Sequence, residues 1–139
     1  IKEIEGRLAR YFSSRPEIKA GYIFGSRTRG VENGLSDIDV AILVDDAISP
    51  ETYPYGYKAK ILTDLLKLLK TDNIDLVVLN NAPCLLRHRA ICRGRLVYSG
   101  AERERIKFQV RTIAEYCDFK RLMTAAPRRA NREGGLYGG

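Results

Sequence analysis

The chain has 139 residues, of which 45% are hydrophobic and 29% charged, a balance that suits one compact domain able to bury well over half of its surface. No apolar run approaches the roughly 20 residues that a bilayer span requires, and the alternating charged and apolar N-terminus does not read as a secretory signal. The net charge of +7 is unevenly placed: residues 1–79 carry 11 basic and 12 acidic side chains, residues 80–139 carry 13 and 5. A basic half of this kind attracts nucleic acid, an acidic partner or an anionic substrate such as a nucleoside triphosphate, or is simply a solvated surface.

Ile1 in first position suggests that the numbered chain lacks its natural start. From Ile1 to Phe12 the apolar residues Ile1, Ile4, Leu8 and Tyr11 or Phe12 recur at helical spacing, and Ser13-Ser14-Arg15-Pro16 ends the run. Ala20 to Phe24 reads as a short strand stopped by Gly25-Ser26. Arg27 to Val31 could form one helical turn, and Glu32-Asn33-Gly34 is a turn signal before a strand from Asp37 to Val44. Asp45 to Gly56, with Pro50 and Pro54, reads as a loop. Lys58 to Lys70 is the clearest helix, with a broad apolar face of Ile61, Leu62, Leu65, Leu66, Leu68 and Leu69. Ile74 to Leu79 is a strand with one charge, Asp75, at its start. Asn81 is placed to cap a helix with Pro83 in its first turn and an end near Cys92, and Arg95 to Tyr98 is a further short strand.

Ala101 to Met123 reads as a long helix with two apolar stripes, one of Ile106, Val110, Ile113 and Cys117, the other of Phe108, Tyr116, Phe119 and Met123. The second stripe suggests a docking face for a partner. Residues 1–123 are expected to form the domain, and 124–139 a basic, glycine-rich tail that is mobile. Cys84, Cys92 and Cys117 are odd in number and lack CxxC spacing, so they read as reduced core cysteines of a cytoplasmic protein. His88 is the lone histidine, which removes a histidine-based metal site.

Asp37 and Asp39 open an apolar strand from the same face by its two-residue alternation, and two like charges side by side call for a hard cation, most simply magnesium. Alternating helices and strands argue a sheet covered by helices, α/β or α+β. An antiparallel pairing of the first two strands brings Gly25-Ser26 to the same sheet edge as Asp37 and Asp39. Asp75 joins them only if the second and third strands are parallel, and the helix Lys58 to Lys70 is long enough for that crossover.

Three carboxylates, a phosphate-binding turn and no catalytic histidine fit two-metal nucleotidyl transfer. In this reading Asp37 and Asp39 bridge two magnesium ions, and Asp75 serves the attacking hydroxyl. Gly25 admits the triphosphate, Ser26 donates to it, and Arg27 or Arg29 offsets its charge, with Ser36 a further nucleotide-binding candidate. A Walker loop is excluded because GSRTRG has no Gly-Lys-Ser/Thr, and an EF-hand because Ile42 and Ile48 fall at its glycine and glutamate positions. A purely structural role for these residues, as turn, cap and ion pair, is plausible for each alone and much less so for the set.

The pattern Gly25-Ser26, ten residues, Asp37-x-Asp39 and a later strand with Asp75 resembles the nucleotidyltransferase superfamily of DNA polymerase beta. More narrowly it resembles the minimal nucleotidyltransferases, the MntA-like antitoxins encoded beside HEPN-domain toxins. The resemblance implies a small mixed sheet flanked by helices, with Asp37, Asp39 and Asp75 as metal triad and Gly25 and Ser26 as nucleotide turn. It also implies transfer of AMP from ATP to a tyrosine of a HEPN toxin partner, with a homo-oligomer compatible. The alternatives are an antitoxin that acts by binding alone, and a nucleotidyltransferase for a small molecule or nucleic acid end.

Overall fold

The computed structural model describes residues 2–24, 38–48 and 56–134, with side chains to Thr124. Its elements are α1 (Lys2–Ser13), β1 (Ile18–Phe24), β2 (Ile38–Val44), α2 (Tyr57–Leu69), β3 (Ile74–Val78), α3 (Cys84–Arg93), β4 (Arg95–Ser99) and α4 (Glu102–Gly134). Four strands form one sheet in the order β3-β2-β1-β4. β1 is antiparallel to both β2 and β4, and β2 is parallel to β3, with α2 in the crossover.

β1, β2 and β3 alternate, so each contributes to two apolar layers, and β4 adds Val97 and Tyr98 to the first. On one face Ile23, Val40, Ile42 and Leu76 pack against Leu8 and Phe12 of α1 and Ile61 and Leu65 of α2. On the other, Ala20, Tyr22, Phe24, Ala41 and Leu43 pack against Ala90 of α3 and Phe108 of α4. This is the mixed α+β sheet flanked by helices that the sequence predicts. Phe12 fits because Gly21 lies beneath its ring: a Cβ there would sit 2.3 Å from Phe12 Cε2.

A polar network closes the α1–α2 side. The Tyr11 hydroxyl donates to Asp64 Oδ2 at 2.6 Å, and the Tyr57 hydroxyl and Arg15 Nε both donate to Glu17 Oε2 at 2.8 Å. Burial pushes both tyrosines well above the ordinary phenol range, and their carboxylate acceptors push further in the same direction. Burial alone would raise the Glu17 pKa, but the hydrogen bonds from Tyr57 and Arg15 outweigh it and hold the carboxyl below its usual value.

Several expectations need correction. Asn81 does not cap α3: it ends a turn of 3-10 helix (Leu79–Asn81), and Pro83 occupies the cap position without a side-chain bond. Its neighbour Asn80 is the structural one, donating from Nδ2 to the Val44 carbonyl at 2.7 Å and accepting the Val44 N–H at 2.9 Å. It thus continues the ladder where β3 stops. Part of the expected loop after β2 is a 3-10 turn, Asp46–Ile48. The cysteines are free, as expected, but they are not core residues, since Cys92 and Cys117 are exposed and Cys84 only half-buried.

The long last helix also differs. Its core-facing line is Arg105, Phe108, Thr112 and Tyr116, while the stripe of Ile106, Val110, Ile113 and Cys117 faces outward. Arg87 of α3 explains why polar residues occupy the inner line. It donates to the Ala82 carbonyl at 3.0 Å, to buried Thr112 Oγ1 at 3.3 Å and to Glu115 Oε1 at 2.5 Å, and its guanidinium lies over the Phe108 ring. The helix continues past Met123 to Gly134, through Pro127, whose missing N–H forfeits one bond. Leu122, Met123, Ala125, Ala126, Arg128, Arg129 and Ala130 are good helix formers, which is why the run persists.

Candidate active site

The chemistry gathers at one end of the sheet. The antiparallel register sets Phe24, the last residue of β1, opposite Asp39, so the chain leaves β1 for Gly25 beside that carboxylate. The parallel register sets Asp39 opposite Asp75. A hydrogen bond from the Ile38 N–H to the Asn73 carbonyl, at 2.8 Å, fixes this offset where the two strands begin. Register partners on adjacent strands project from the same face, so both carboxylates point to the side covered by α3 and α4.

Asp39 is half-buried and Asp75 exposed. With strands about 4.8 Å apart, two unit negative charges here repel by on the order of 1–3 kcal/mol. That is comparable with the net worth of a good hydrogen bond, so a bound cation would gain directly by relieving it. Two carboxylate oxygens sets at the rim of a sheet, one of them open to water, are the donor chemistry of a hard, oxygen-seeking cation such as magnesium. Among the described residues no third metal-ligating side chain joins them. Asp37, Gly25, Ser26, Arg27, Arg29 and Ser36, all predicted site residues, lie outside the described residues.

One contributor was not anticipated. Gly94, between α3 and β4, brings the end of α3 against β1 so closely that a Cβ would lie 2.9 Å from the Ile23 carbonyl oxygen and 3.0 Å from Phe24 Cβ. It therefore buttresses Phe24, the residue that precedes Gly25-Ser26 in the chain. The signal was present in the helix–Gly–strand sequence, but only the packing reveals which strand it meets. At the opposite end of the sheet α4 departs, with the N–H groups of Gly100 and Ala101 both donating to the Lys19 carbonyl at 2.9 and 3.3 Å.

Comparison with known proteins agrees with this geometry. A family model described as polymerase beta nucleotidyltransferase matches residues 7–103. The protein adenylyltransferase MntA of Aphanizomenon flos-aquae (strain 2012/KM1/D3) is 29% identical over 127 residues, covering 88% of this chain and 84% of that protein. A solved toxin–antitoxin structure with AMP-PNP superposes with a TM-score of 0.71 at 24% identity, covering 91% of this chain and 97% of that one. A complex of tri-AMPylated Shewanella oneidensis HEPN toxin with its MNT antitoxin gives 0.66 at 22% identity, covering 93% and 97%. These two structures share the fold.

Proposed function

Because this chain belongs to the polymerase beta nucleotidyltransferase family, we propose that it is the antitoxin of a HEPN/MNT toxin–antitoxin pair, a protein adenylyltransferase that moves AMP from ATP to a tyrosine of its toxin. The observation that carries this reading is the register match of Asp39 with Asp75 at the strand ends beside which β1 delivers Gly25-Ser26. The adenylyltransferase relative and the AMPylated-toxin complex of like fold support the choice of acceptor. The site of action is the cytoplasm, in keeping with three free cysteines.

In this mechanism Gly25 lets the backbone approach the triphosphate, Ser26 donates to a phosphate oxygen, Ser36 serves as a further nucleotide contact, and Arg27 and Arg29 offset phosphate charge. Asp37, Asp39 and Asp75 would hold two magnesium ions, which would supply positive charge against the triphosphate and the departing pyrophosphate. Asp75, the more exposed carboxylate, meets the incoming tyrosine hydroxyl and accepts its proton. The phenolic oxygen forms a bond to the alpha phosphorus as the bond from that phosphorus to the bridging oxygen breaks, and pyrophosphate carries that electron pair away. The catalytic domain is residues 1–123, and 124–139, which include the last turns of α4, extend from it.

The deciding experiment is the intact mass of the cognate HEPN toxin after incubation with this protein, ATP and magnesium, beside the Asp37→Asn, Asp39→Asn double variant. A gain of one or more AMP masses, absent with the variant, is expected. No gain, with a stable complex that still silences the toxin, would replace catalysis by neutralisation through binding alone.

A further inference from the structure

The seam between α3 and α4 carries a second feature that nucleotidyl transfer does not use. α3 contains Arg87, Arg89 and Arg93 with His88, and no acid. Across the seam the His88 and Tyr116 rings stack face to face, with centroids 3.5 Å apart and planes 9° from parallel. Beside this stack lies a cavity of about 100 Å³ lined by Leu85, His88, Arg89, Arg93 and Tyr116.

Three of the cations here are not spent on ion pairs among the described residues. Glu115 is taken by Arg87 at 2.5 Å and Asp118 by Arg121 at 3.1 Å, whereas Arg89, Arg93 and Lys120 form no ion pair among the described residues. All three are exposed. Partial burial, then the charges of Arg93 and Lys120, depress the His88 pKa. Beyond Tyr116 the helix backbone continues to Gly134 and the sequence adds Arg128, Arg129 and Arg132 against Glu133, prolonging the basic run along one element.

We propose that the α3–α4 seam binds single-stranded nucleic acid, with phosphates on Arg89, Arg93 and Lys120 and a base continuing the His88–Tyr116 stack. Unpaired cations spaced along a seam match a repeating phosphate, and an accessible aromatic pair beside them is what separates a nucleic acid platform from a generic acidic-protein contact. The nucleic acid is a bound partner here, not the acceptor of AMP, so this inference stands or falls separately from the proposed activity.

The test is fluorescence anisotropy of the full chain with a fluorescein-labelled oligonucleotide of about 16 nucleotides, as RNA and as DNA. Three phosphate contacts predict a log–log salt slope of about −2 between about 50 and about 200 mM salt. The variant Arg89→Glu, Arg93→Glu, Lys120→Glu should bind at least about tenfold more weakly and lose that slope. Tyr116→Ala should weaken binding about fivefold or more while keeping the slope. Circular dichroism melting checks the fold, and Arg89→Gln with Arg93→Gln replaces the triple variant if charge reversal unfolds it. Absence of binding by the wild type, or equal binding by the charge variants, overturns the proposal. Loss of the toxin from the triple variant with no oligonucleotide bound by the wild type would make the seam a protein surface and overturn it equally.

Discussion

Replacing Gly94 by alanine probes the link between packing and chemistry most directly. The new Cβ would lie 2.4 Å from the Ala90 carbonyl oxygen, 2.9 Å from that of Ile23 and 3.0 Å from Phe24 Cβ. An ordinary contact is about 3.5 Å, so the new Cβ must draw about 1 Å away from the Ala90 carbonyl of its own helix end, and α3 must part from the end of β1 by about 0.5 Å, since backbone oxygens cannot rotate aside. The backbone of Gly94 is extended, φ −88° and ψ −178°, so contact alone, not conformational strain, sets the effect. Overpacking of this kind costs about 1–3 kcal/mol, or roughly 4–12 °C in Tm for a chain of this size. The displacement falls on Phe24, the register partner of Asp39 and the residue before Gly25. A shift of about 0.5 Å there should lower kcat/KM for AMP transfer about tenfold, measured well below the Tm of either protein. Gly6→Ala is the matched comparison: nothing lies within 4 Å of its Cβ, and on α1 it should stabilise by about 0.5–1 kcal/mol with activity unchanged. A Gly94→Ala protein with wild-type Tm, or one destabilised but fully active, would refute the argument that this contact aligns the site.

Arg87→Ala removes the donor to buried Thr112 and the cover of Phe108, and should cost about 2–4 kcal/mol in urea denaturation; a loss below about 0.5 kcal/mol would show that water replaces it freely. Glu17 has a folded-state pKa below its unfolded value, so its stabilisation is complete above the ordinary carboxylate pKa of about 4.3 and is lost as pH falls through the folded value. Denaturation curves between about pH 6 and pH 3 should therefore show a slope that Glu17→Gln reduces, and an identical slope in the variant would remove Glu17 as its source. Phe119 is 40% exposed and Met123 54% exposed on α4. Phe119→Asp should weaken co-purification of the toxin while leaving Tm within about 2 °C, and undiminished pull-down would remove this face from the docking surface.

The topology was legible because chemistry and periodicity agreed. An apolar strand that opens on an aspartate has no reason to do so unless that end faces a site, and Asp39 and Asp75 both follow this rule. Once they are required to meet, α2 is the connection that can supply a parallel crossover. The inner face of α4 was not legible, because hydrophobic period alone cannot choose between two stripes. The core took the line containing Thr112 and Arg105, whose polar groups are satisfied by Arg87, Ser99 and Gln109, and left Ile106, Val110 and Ile113 outside. Asn81 misled for a similar reason: both asparagines look like caps, and only the end of β2, at Val44, shows that Asn80 is the one with a partner. The helix was expected to end at Met123, yet its backbone runs to Gly134 through Pro127, a residue that costs about 3 kcal/mol in a helix interior. The Gly25–Asp37 stretch, where most nucleotide contacts were assigned, lies outside the described residues.

The pairing of Asp39 with Asp75 sets how this chain can change length. Before α2 the crossover can lengthen almost freely, since doubling a loop adds only about 0.6 kcal/mol. The segment 70–73 has no such freedom, because Lys70 closes α2 in a left-handed conformation, φ 54°, and Asn73 is already bonded to Ile38. One added residue there that slipped the strand would carry Asp75 across the sheet, into the layer of Val40, Ile61 and Leu76, and bring an isoleucine or a leucine to the rim in its place. Length variation in such proteins should therefore collect in 45–56 and spare 70–73, a division set by the two-residue pleat and not by proximity to the nucleotide.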